Sequence, residues 1–149
     1  MESDFYTFKG YDRMRESELS PAMEDYLEMI CRCAQESDFV RINLLASKLN
    51  VTPPSASKMV GKLKELGLLK FEPYGLITVT EKGWEQGEML LHRHAVLHTF
   101  FCLVNGTDDE LELVEKIEHF IDPETTRHLE EKIGDMKRLW GREEKKGKR

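Results

Sequence analysis

The chain has 149 residues, of which 40% are hydrophobic and 34% charged, the balance of a soluble globular protein with one ordinary domain or two small ones. Its longest apolar stretch, residues 95–104, is too short to span a membrane, and residues 1–19 mix acidic and basic side chains where a secretory signal would be apolar. We therefore predict a cytoplasmic protein with no membrane partner, and the net charge of −6 argues against a nonspecific polyanion binder.

Residues 1–19 have no clear period and form a predicted N-terminal arm. A first helix begins after Ser20, because serine is a favourable N-cap and the proline that follows is tolerated in the first turn. Apolar residues then recur at the helical spacing of three and four. Cys31 and Cys33 lie in this helix. Together with Cys102 they lack the spacing of a zinc ribbon or a redox motif, so we expect reduced thiols, with Cys31 and Cys33 in packing roles.

A short second helix and a third helix follow. The second ends near Asn50, a residue that tolerates the left-handed conformation at a helix terminus. Thr52 then caps the third helix, which Gly67 ends. Between Arg41 and Lys82, seven basic and three acidic residues give +4, so the rest of the chain carries −10. A basic island in an acidic protein suggests a surface that faces phosphate, although a solvated helix face would show the same excess.

The segment after the third helix changes its period. Residues 68–72 and 76–80 flank the turn at 73–75, and the second of them is rich in β-branched side chains, so we predict a β-hairpin. Three short helices and a hairpin are typical of a winged helix-turn-helix, in which the third helix enters the major groove of DNA. Lysines there would neutralise phosphate, and hydroxyls would reach a phosphate or a base edge. The predicted DNA-binding residues are Thr52, Ser55, Ser57, Lys58, Lys62, Lys70 and Tyr74.

Three further helices complete the predicted fold, which is mainly α-helical. Thr80 begins the cap of a long fourth helix that runs to about Val104. Residues 107–110 open a fifth helix that runs to about residue 121, and a sixth spans residues 124–133. The tail from residue 141 alternates acidic and basic side chains, and we expect it to fray.

Acidic and histidine side chains recur at one-turn spacing on two of these helices. Asp25 and Glu28 project from the same side of the first helix. Glu115, Glu118 and His119, at positions i, i+3 and i+4, point the same way from the fifth helix. The fourth helix, which lies between them in the sequence, offers His92, His94 and His98. Acidic pairs are common on solvated surfaces, but carboxylates that converge on one patch repel each other unless a cation is present.

The donor set indicates which ions would suit such a site. Four carboxylates supply −4, which two divalent ions would neutralise, and imidazoles complete an oxygen-rich shell. No thiolate is included, whereas a structural zinc site would normally recruit cysteine. Hard oxygen donors therefore favour manganese or ferrous iron.

Four segments together resemble the diphtheria-toxin-repressor family of metalloregulators, and within it the manganese-responsive branch. They are residues 22–28, 51–66, 92–94 and 114–119. The resemblance implies a two-metal site, in which Asp25, Glu28 and His94 join Glu115 and Glu118 around one ion. Glu115, Glu118 and His119 would hold the second, with Glu28 nearby. The iron-responsive branch has Met and Cys at positions 25 and 115, so the resemblance favours Mn²⁺, with Fe²⁺, Cd²⁺ or Zn²⁺ as substitutes.

The resemblance also implies a division of the chain and a function. After the arm, residues 20–82 would form the winged helix-turn-helix domain and residues 83–140 a helical metal-binding and dimerisation domain, followed by a charged tail at 141–149. We predict a manganese-responsive transcriptional repressor that binds double-stranded operator DNA as a homodimer, with the metal as corepressor. No small organic substrate is expected.

Two other functions compete with this prediction. The first is a metal-independent winged-helix repressor whose acidic helices serve only as a dimer scaffold. The second is a helical di-metal enzyme, but a di-iron bundle needs two ExxH motifs and this chain has ExxEH once. An inverted zinc protease needs HxxEH, and position 115 is glutamate. We therefore predict no enzymatic activity, and DNA binding with and without manganese separates the two kinds of repressor.

Overall fold

A computed structural model describes residues 6–13 and 19–147, without the side chains of residues 12, 13 and 141–146. The helices and strands in this part of the chain are α1 (Phe8–Arg13), α2 (Pro21–Ala34), β1 (Val40–Arg41), α3 (Ile42–Leu49), α4 (Pro53–Glu65), β2 (Leu69–Glu72), β3 (Leu76–Val79), α5 (Glu81–Asn105), α6 (Leu111–Ile117) and α7 (Pro123–Gly147). This mainly helical fold with a small sheet confirms the predicted fold class. Among the helices described, none is both long enough and apolar enough to cross a membrane.

Short polar side chains start the helices where the sequence predicts. Ser20 Oγ accepts a hydrogen bond from the Met23 amide at 3.2 Å, and Thr80 Oγ1 accepts one from the Gly83 amide at 3.0 Å. Asn50 ends α3 in the left-handed conformation, with φ of 55°. These boundaries follow from local chemistry alone.

The N-terminal core forms where α2, α3 and α4 pack against the sheet. Leu27, Leu45, Leu63 and Ile77 are fully buried in it. The hairpin of β2 and β3 is as predicted, but β1 was missed. Val40 pairs with Ile77 on the side of β3 opposite β2, which gives the strand order β1-β3-β2. A strand of two residues shows no period in the sequence, so only the tertiary pairing reveals it.

Helix α5 lies directly on α2. A side chain at Gly87 would overlap Cys31 Sγ, so the missing Cβ is what allows the two helices to approach so closely. Cys31, Cys33 and Cys102 are free thiols. Burial raises the pKa of Cys31 to about 12, which keeps the thiol protonated and suits it to packing.

Three predicted boundaries in the C-terminal half are wrong. Helix α6 begins at Leu111, not at residues 107–110, because Asp109 Oδ1 accepts from the Leu111 amide at 3.0 Å and thereby begins the helix later. It also ends at Ile117 and continues as the 3-10 turn Glu118–Phe120. Helix α7 continues past the predicted residue 133 and through the segment predicted to fray, as far as Gly147. Charged residues one turn apart, such as Arg138 and Asp135, form pairs that stabilise this extension.

Part of the N-terminal arm is helical. Helix α1 places the Phe8 ring edge-on to the Phe120 ring, with 4.9 Å between the ring centroids. Residues 1–5 and 14–18 of the predicted arm lie outside the described residues. The arm therefore contacts the segment directly after His119.

Candidate metal centre and DNA-binding surface

Four elements supply the first group of candidate ligands. Helix α5 places His94 Nδ1 2.7 Å from Glu118 Oε2, which is on the 3-10 turn. The same nitrogen lies 3.6 Å from Glu28 Oε1 of α2 and 3.7 Å from Glu115 Oε1 of α6. One donor atom from each of these four residues lies within 4.8 Å of the others. Residues that are up to 90 positions apart in the chain thus share one small volume, since Glu28 and Glu118 differ by 90.

A second group lies beside the first. His119 Nε2 is 2.9 Å from Asp25 Oδ1 and 3.9 Å from Glu118 Oε1. Asp25, Glu118 and His119 again offer donor atoms within 4.8 Å of one another. Glu118 belongs to both groups and is only 1% exposed. Its Oε2 contacts His94 of the first group, and its Oε1 lies on the side of His119 in the second group.

The 3-10 turn explains how adjacent residues reach different groups. Because α6 ends at Ile117, Glu118 and His119 do not follow the i, i+3, i+4 geometry that the sequence predicts for a continuous helix. His119 instead turns toward Asp25 on α2. The resemblance implies Asp25 beside His94; in the structure Asp25 lies beside His119, where the imidazole of His119 attracts its carboxylate.

The electrostatics of the cluster show a surplus of negative charge. Burial and the neighbouring Glu118 raise the pKa of Glu28 to about 7, and the same two causes raise the pKa of Glu115. The hydrogen bond to Glu118 raises the pKa of His94. Burial lowers the pKa of His119, but Asp25 and Glu24 outweigh burial and raise it to about 9. The raised pKa values of Glu28 and Glu115 thus reflect carboxylates that disfavour one another's charge, a repulsion that a bound cation would relieve.

The donors present fit a divalent cation. Asp25 Oδ1 is a buried oxygen without a hydrogen-bond partner among the described residues, although it lies close to His119. Carboxylates dominate and two imidazoles complete the set, which suits manganese or ferrous iron better than a structural zinc ion. Cys102 contributes no donor to either group.

The remaining histidines of α5 lie outside both groups. His92 Nε2 is 2.8 Å from Glu130 Oε2 of α7, and His98 Nε2 accepts from the Glu110 amide at 3.2 Å. Two residues that sequence reasoning missed lie just behind the cluster: Glu24 on α2 and Arg93 on α5, whose side chains are almost fully buried and paired. In the sequence, each of these charged residues directly precedes a candidate ligand, Asp25 or His94, and this adjacency could have identified them.

The predicted DNA-binding residues lie on the exposed side of α4 and on the wing. Ser55, Lys58 and Lys62 are exposed along one face of α4, Lys70 is exposed on β2, and Tyr74 at the wing tip is 97% exposed. Ser57 is half-buried on a neighbouring face. The Thr52 hydroxyl donates to Ser55 Oγ at 2.9 Å and accepts from the Ser55 amide, so it caps α4 while remaining exposed.

Comparison with known proteins assigns the family. The model of the iron dependent repressor N-terminal DNA binding domain matches residues 18–77, and that of the iron dependent repressor metal binding and dimerisation domain matches residues 80–140. The chain belongs to the iron-dependent repressor family. Members of this family are metal-dependent transcriptional repressors, so the chain is a regulator and not an enzyme. The resemblance predicted from the sequence is confirmed.

Relatives of this iron-dependent repressor family member cover most of its length. The HTH-type transcriptional regulator MntR of Shouchella clausii is 36% identical over 118 residues, which are 78% of this chain and 80% of the relative. MntR of Geobacillus kaustophilus is 32% identical over 128 residues, 85% of this chain and 88% of the relative. A solved manganese-dependent transcriptional repressor in complex with manganese is 30% identical, with a TM-score of 0.63, covering 75% of this chain and 52% of that one.

Proposed function

We propose that this repressor responds to manganese and binds operator DNA as a homodimer when two Mn²⁺ ions per subunit occupy the two ligand groups. The observation that carries the proposal is that side chains from α2, α5 and the α6 region form two groups of donor atoms, and that within each group the atoms lie within 4.8 Å of one another. The proposed ligands are Asp25, Glu28, His94, Glu115, Glu118 and His119. The relatives named MntR and the manganese-bound structure support the choice of metal.

The same donors could accept other divalent ions. Ligand affinity generally rises from manganese through iron to zinc, so selectivity depends on coordination number and geometry. The excess of carboxylate oxygen over nitrogen favours Mn²⁺, and Fe²⁺, Cd²⁺ and Zn²⁺ are the proposed substitutes. Competition titrations against Mn²⁺ would rank them.

Metal binding would link the two halves of the subunit. Helix α2 belongs to the N-terminal core, while His94 and Glu118 belong to the C-terminal half, so ligands from both sides must stay together around the ions. Without cations, repulsion among Glu28, Glu115 and Glu118 opposes this contact. In a dimer the contact would fix the separation of the two α4 helices, which must match major-groove faces about 34 Å apart or a multiple of that distance.

Dimerisation and DNA binding complete the proposal. Val104 near the end of α5 and Leu111 at the start of α6 are both about half exposed, and such apolar surface is suited to a subunit interface. The exposed lysines and hydroxyls of α4, with Lys70 and Tyr74 of the wing, would contact the duplex.

Operator binding measured with and without Mn²⁺ tests the function. We expect Asp25→Ala and Glu115→Ala to leave the protein folded while DNA affinity loses its dependence on Mn²⁺. The coupling free energy between metal binding and DNA binding would normally be about 1 to 3 kcal/mol, which corresponds to a change in DNA affinity of roughly 5- to 150-fold. Glu112→Ala is the matched control, because Glu112 lies on α6 but pairs with Lys116 and not with the cluster. Equal DNA affinity of the wild type with and without Mn²⁺ would leave the metal-independent repressor as the explanation.

A further inference from the structure

A buried ion pair lies behind His119, on the side away from the candidate ligands. Glu24 Oε1 lies 3.5 Å from His119 Nδ1, and Glu24 Oε2 accepts a hydrogen bond from Arg93 Nη2 at 3.2 Å. The side chains of Glu24 and Arg93 are 6% and 12% exposed. His119 therefore has one ring nitrogen toward Asp25 and Glu118 and the other toward a carboxylate that is not in either ligand group.

Arg93 connects this pair to the chain beyond His119. Its Nη1 donates to the Ile121 backbone oxygen at 3.4 Å, two residues after the histidine. The guanidinium thus contacts both the carboxylate behind the ring and the backbone that carries the ring. Arg93 Nε and His119 Nδ1 are both buried without a hydrogen-bond partner among the described residues, so Glu24 acts on His119 through an ion-pair contact at 3.5 Å.

A cavity of about 770 Å³ borders the histidine on this side, and its lining includes Glu24, Arg93, His119 and Phe120, with Phe8 and Tyr11 of the arm. The His119 ring is itself buried, with its side chain 7% exposed, so its two nitrogens depend on protein groups for polar contacts. A buried ion pair is also a poor source of net stability, because desolvation cancels much of the attraction. Fixing the direction of His119 is a better explanation of the pair.

We propose that Glu24 and Arg93 are positioning residues that hold His119 with Nε2 toward Asp25 and Glu118, and thereby set the Mn²⁺ affinity of the second group. The inference rests on the proposed function, because it assumes a cation at that group. A carboxylate behind a ligating histidine fixes its tautomer and orientation, and loss of such a partner typically weakens metal binding 10- to 100-fold.

Mn²⁺ titrations of the purified full chain, followed by electron paramagnetic resonance and calorimetry, test the proposal. We expect Glu24→Gln and Arg93→Gln each to weaken the binding of one of the two ions by about 10- to 100-fold while the other ion keeps its wild-type affinity. The double variant should lose no more than either single one, because the two residues act as a unit. Glu112→Gln, an acidic residue of α6 outside the cluster, should match the wild type.

The two substitutions distinguish a positioning role of Glu24 and Arg93 from an effect of their charges alone. Glu24→Gln removes a negative charge and Arg93→Gln removes a positive one, so an effect of charge alone would weaken Mn²⁺ binding in the first and strengthen it in the second. Positioning weakens it in both. Stronger binding by Arg93→Gln, wild-type binding of both ions by the two variants, or equal weakening of both ions would each overturn the proposal.

A measurement without metal keeps the test independent of the proposed function. In ¹⁵N spectra of the metal-free protein, Glu24→Gln should shift the Nδ1 resonance of His119 more than that of Nε2. An unchanged Nδ1 resonance contradicts the inference even if wild-type Mn²⁺ binding is intact, whereas absence of Mn²⁺ binding by the wild type overturns the proposed function. If circular dichroism shows that Glu24→Gln is unfolded, Arg93→Lys serves as the variant. Lysine retains the positive charge but cannot contact both Glu24 and the Ile121 backbone oxygen as the guanidinium does.

Discussion

Glu118 is the residue on which both ligand groups depend. It is buried, its Oε2 is hydrogen-bonded to His94, and its Oε1 lies 3.9 Å from His119 Nε2. Glu115, by contrast, belongs to one group and its side chain is 46% exposed. The two carboxylates therefore differ in importance although the sequence presents them as an equivalent pair one turn apart.

Glu118→Gln should abolish tight binding of both Mn²⁺ ions, because the neutral amide removes a charged donor from each group. Glu115→Gln should weaken one ion and leave the other. Metal content after gel filtration, measured by mass spectrometry, gives the stoichiometry directly. One ion retained with normal affinity by Glu118→Gln would show that the residue is not shared.

The raised pKa values of the cluster predict a dependence of Mn²⁺ affinity on pH. Glu28, with its pKa raised to about 7, and His119, with its pKa raised to about 9, both hold protons near neutrality that a metal must displace. Affinity should increase from about pH 6 to about pH 8, with release of about one to two protons per subunit on binding at neutral pH. Calorimetry in buffers of different ionisation enthalpy counts the protons, and identical heats in all buffers would contradict the prediction.

At the level of elements, the site depends on how closely α5 approaches α2. Gly87 faces Cys31 without room for a methyl group, and the candidate ligands Glu28 and His94 lie on the same two helices. A change in the spacing of α2 and α5 would therefore change the distances between these candidate ligands.

Gly87→Ala should lower the free energy of unfolding by about 1–3 kcal/mol, the usual cost of overpacking, and should also weaken Mn²⁺ binding. Gly134→Ala on α7 is the control, because a methyl group there meets nothing within 4 Å. That variant should be stabilised by about 0.5–1 kcal/mol, since alanine favours a helix over glycine. Chemical denaturation measures both effects, and a Gly87→Ala protein as stable as the wild type would show that the helices separate without cost.

Local chemistry made most of the elements predictable. Serine and threonine caps, the left-handed Asn50 and the change of period after Gly67 are each decided within a few residues. The end of α6 at Ile117 is different, because the next two residues turn toward partners on other helices. The six candidate ligands were identified from spacing and resemblance, but their division into groups, and the support from Glu24 and Arg93, depend on tertiary contacts that a sequence does not contain.

At the scale of the whole molecule, the separation of charge decides how the protein would meet DNA. The basic segment of residues 41–82 carries +4 and the rest of the chain carries −10. Phosphate attracts the first and repels the second, so the charge distribution itself selects an orientation. The exposed lysines of α4 lie in the attracted part.

Lys58→Ala and Lys62→Ala should each weaken DNA binding to a similar extent on specific and unrelated sequences, since lysines contact phosphate. Each substitution should reduce the slope of log affinity against log salt by about 1. Lys132→Ala, an exposed lysine of α7 in the acidic part, should leave the slope unchanged. Fluorescence anisotropy over a salt series gives the slope, and an unaltered slope for both α4 variants would place the phosphate contacts elsewhere.

The wing turn restricts how any such regulation can operate. Tyr74 and Gly75 both have positive φ, and a methyl group at Gly75 would come within 2.6 Å of the Ile42 side chain at the start of α3. The hairpin tip therefore packs closely against the start of α3, with no room for a side chain at position 75. Because the wing and the helix-turn-helix share this contact, we expect a signal that arrives through α2 to move α3, α4 and the hairpin together, which would change their orientation toward DNA and not the surface that they present to a base pair.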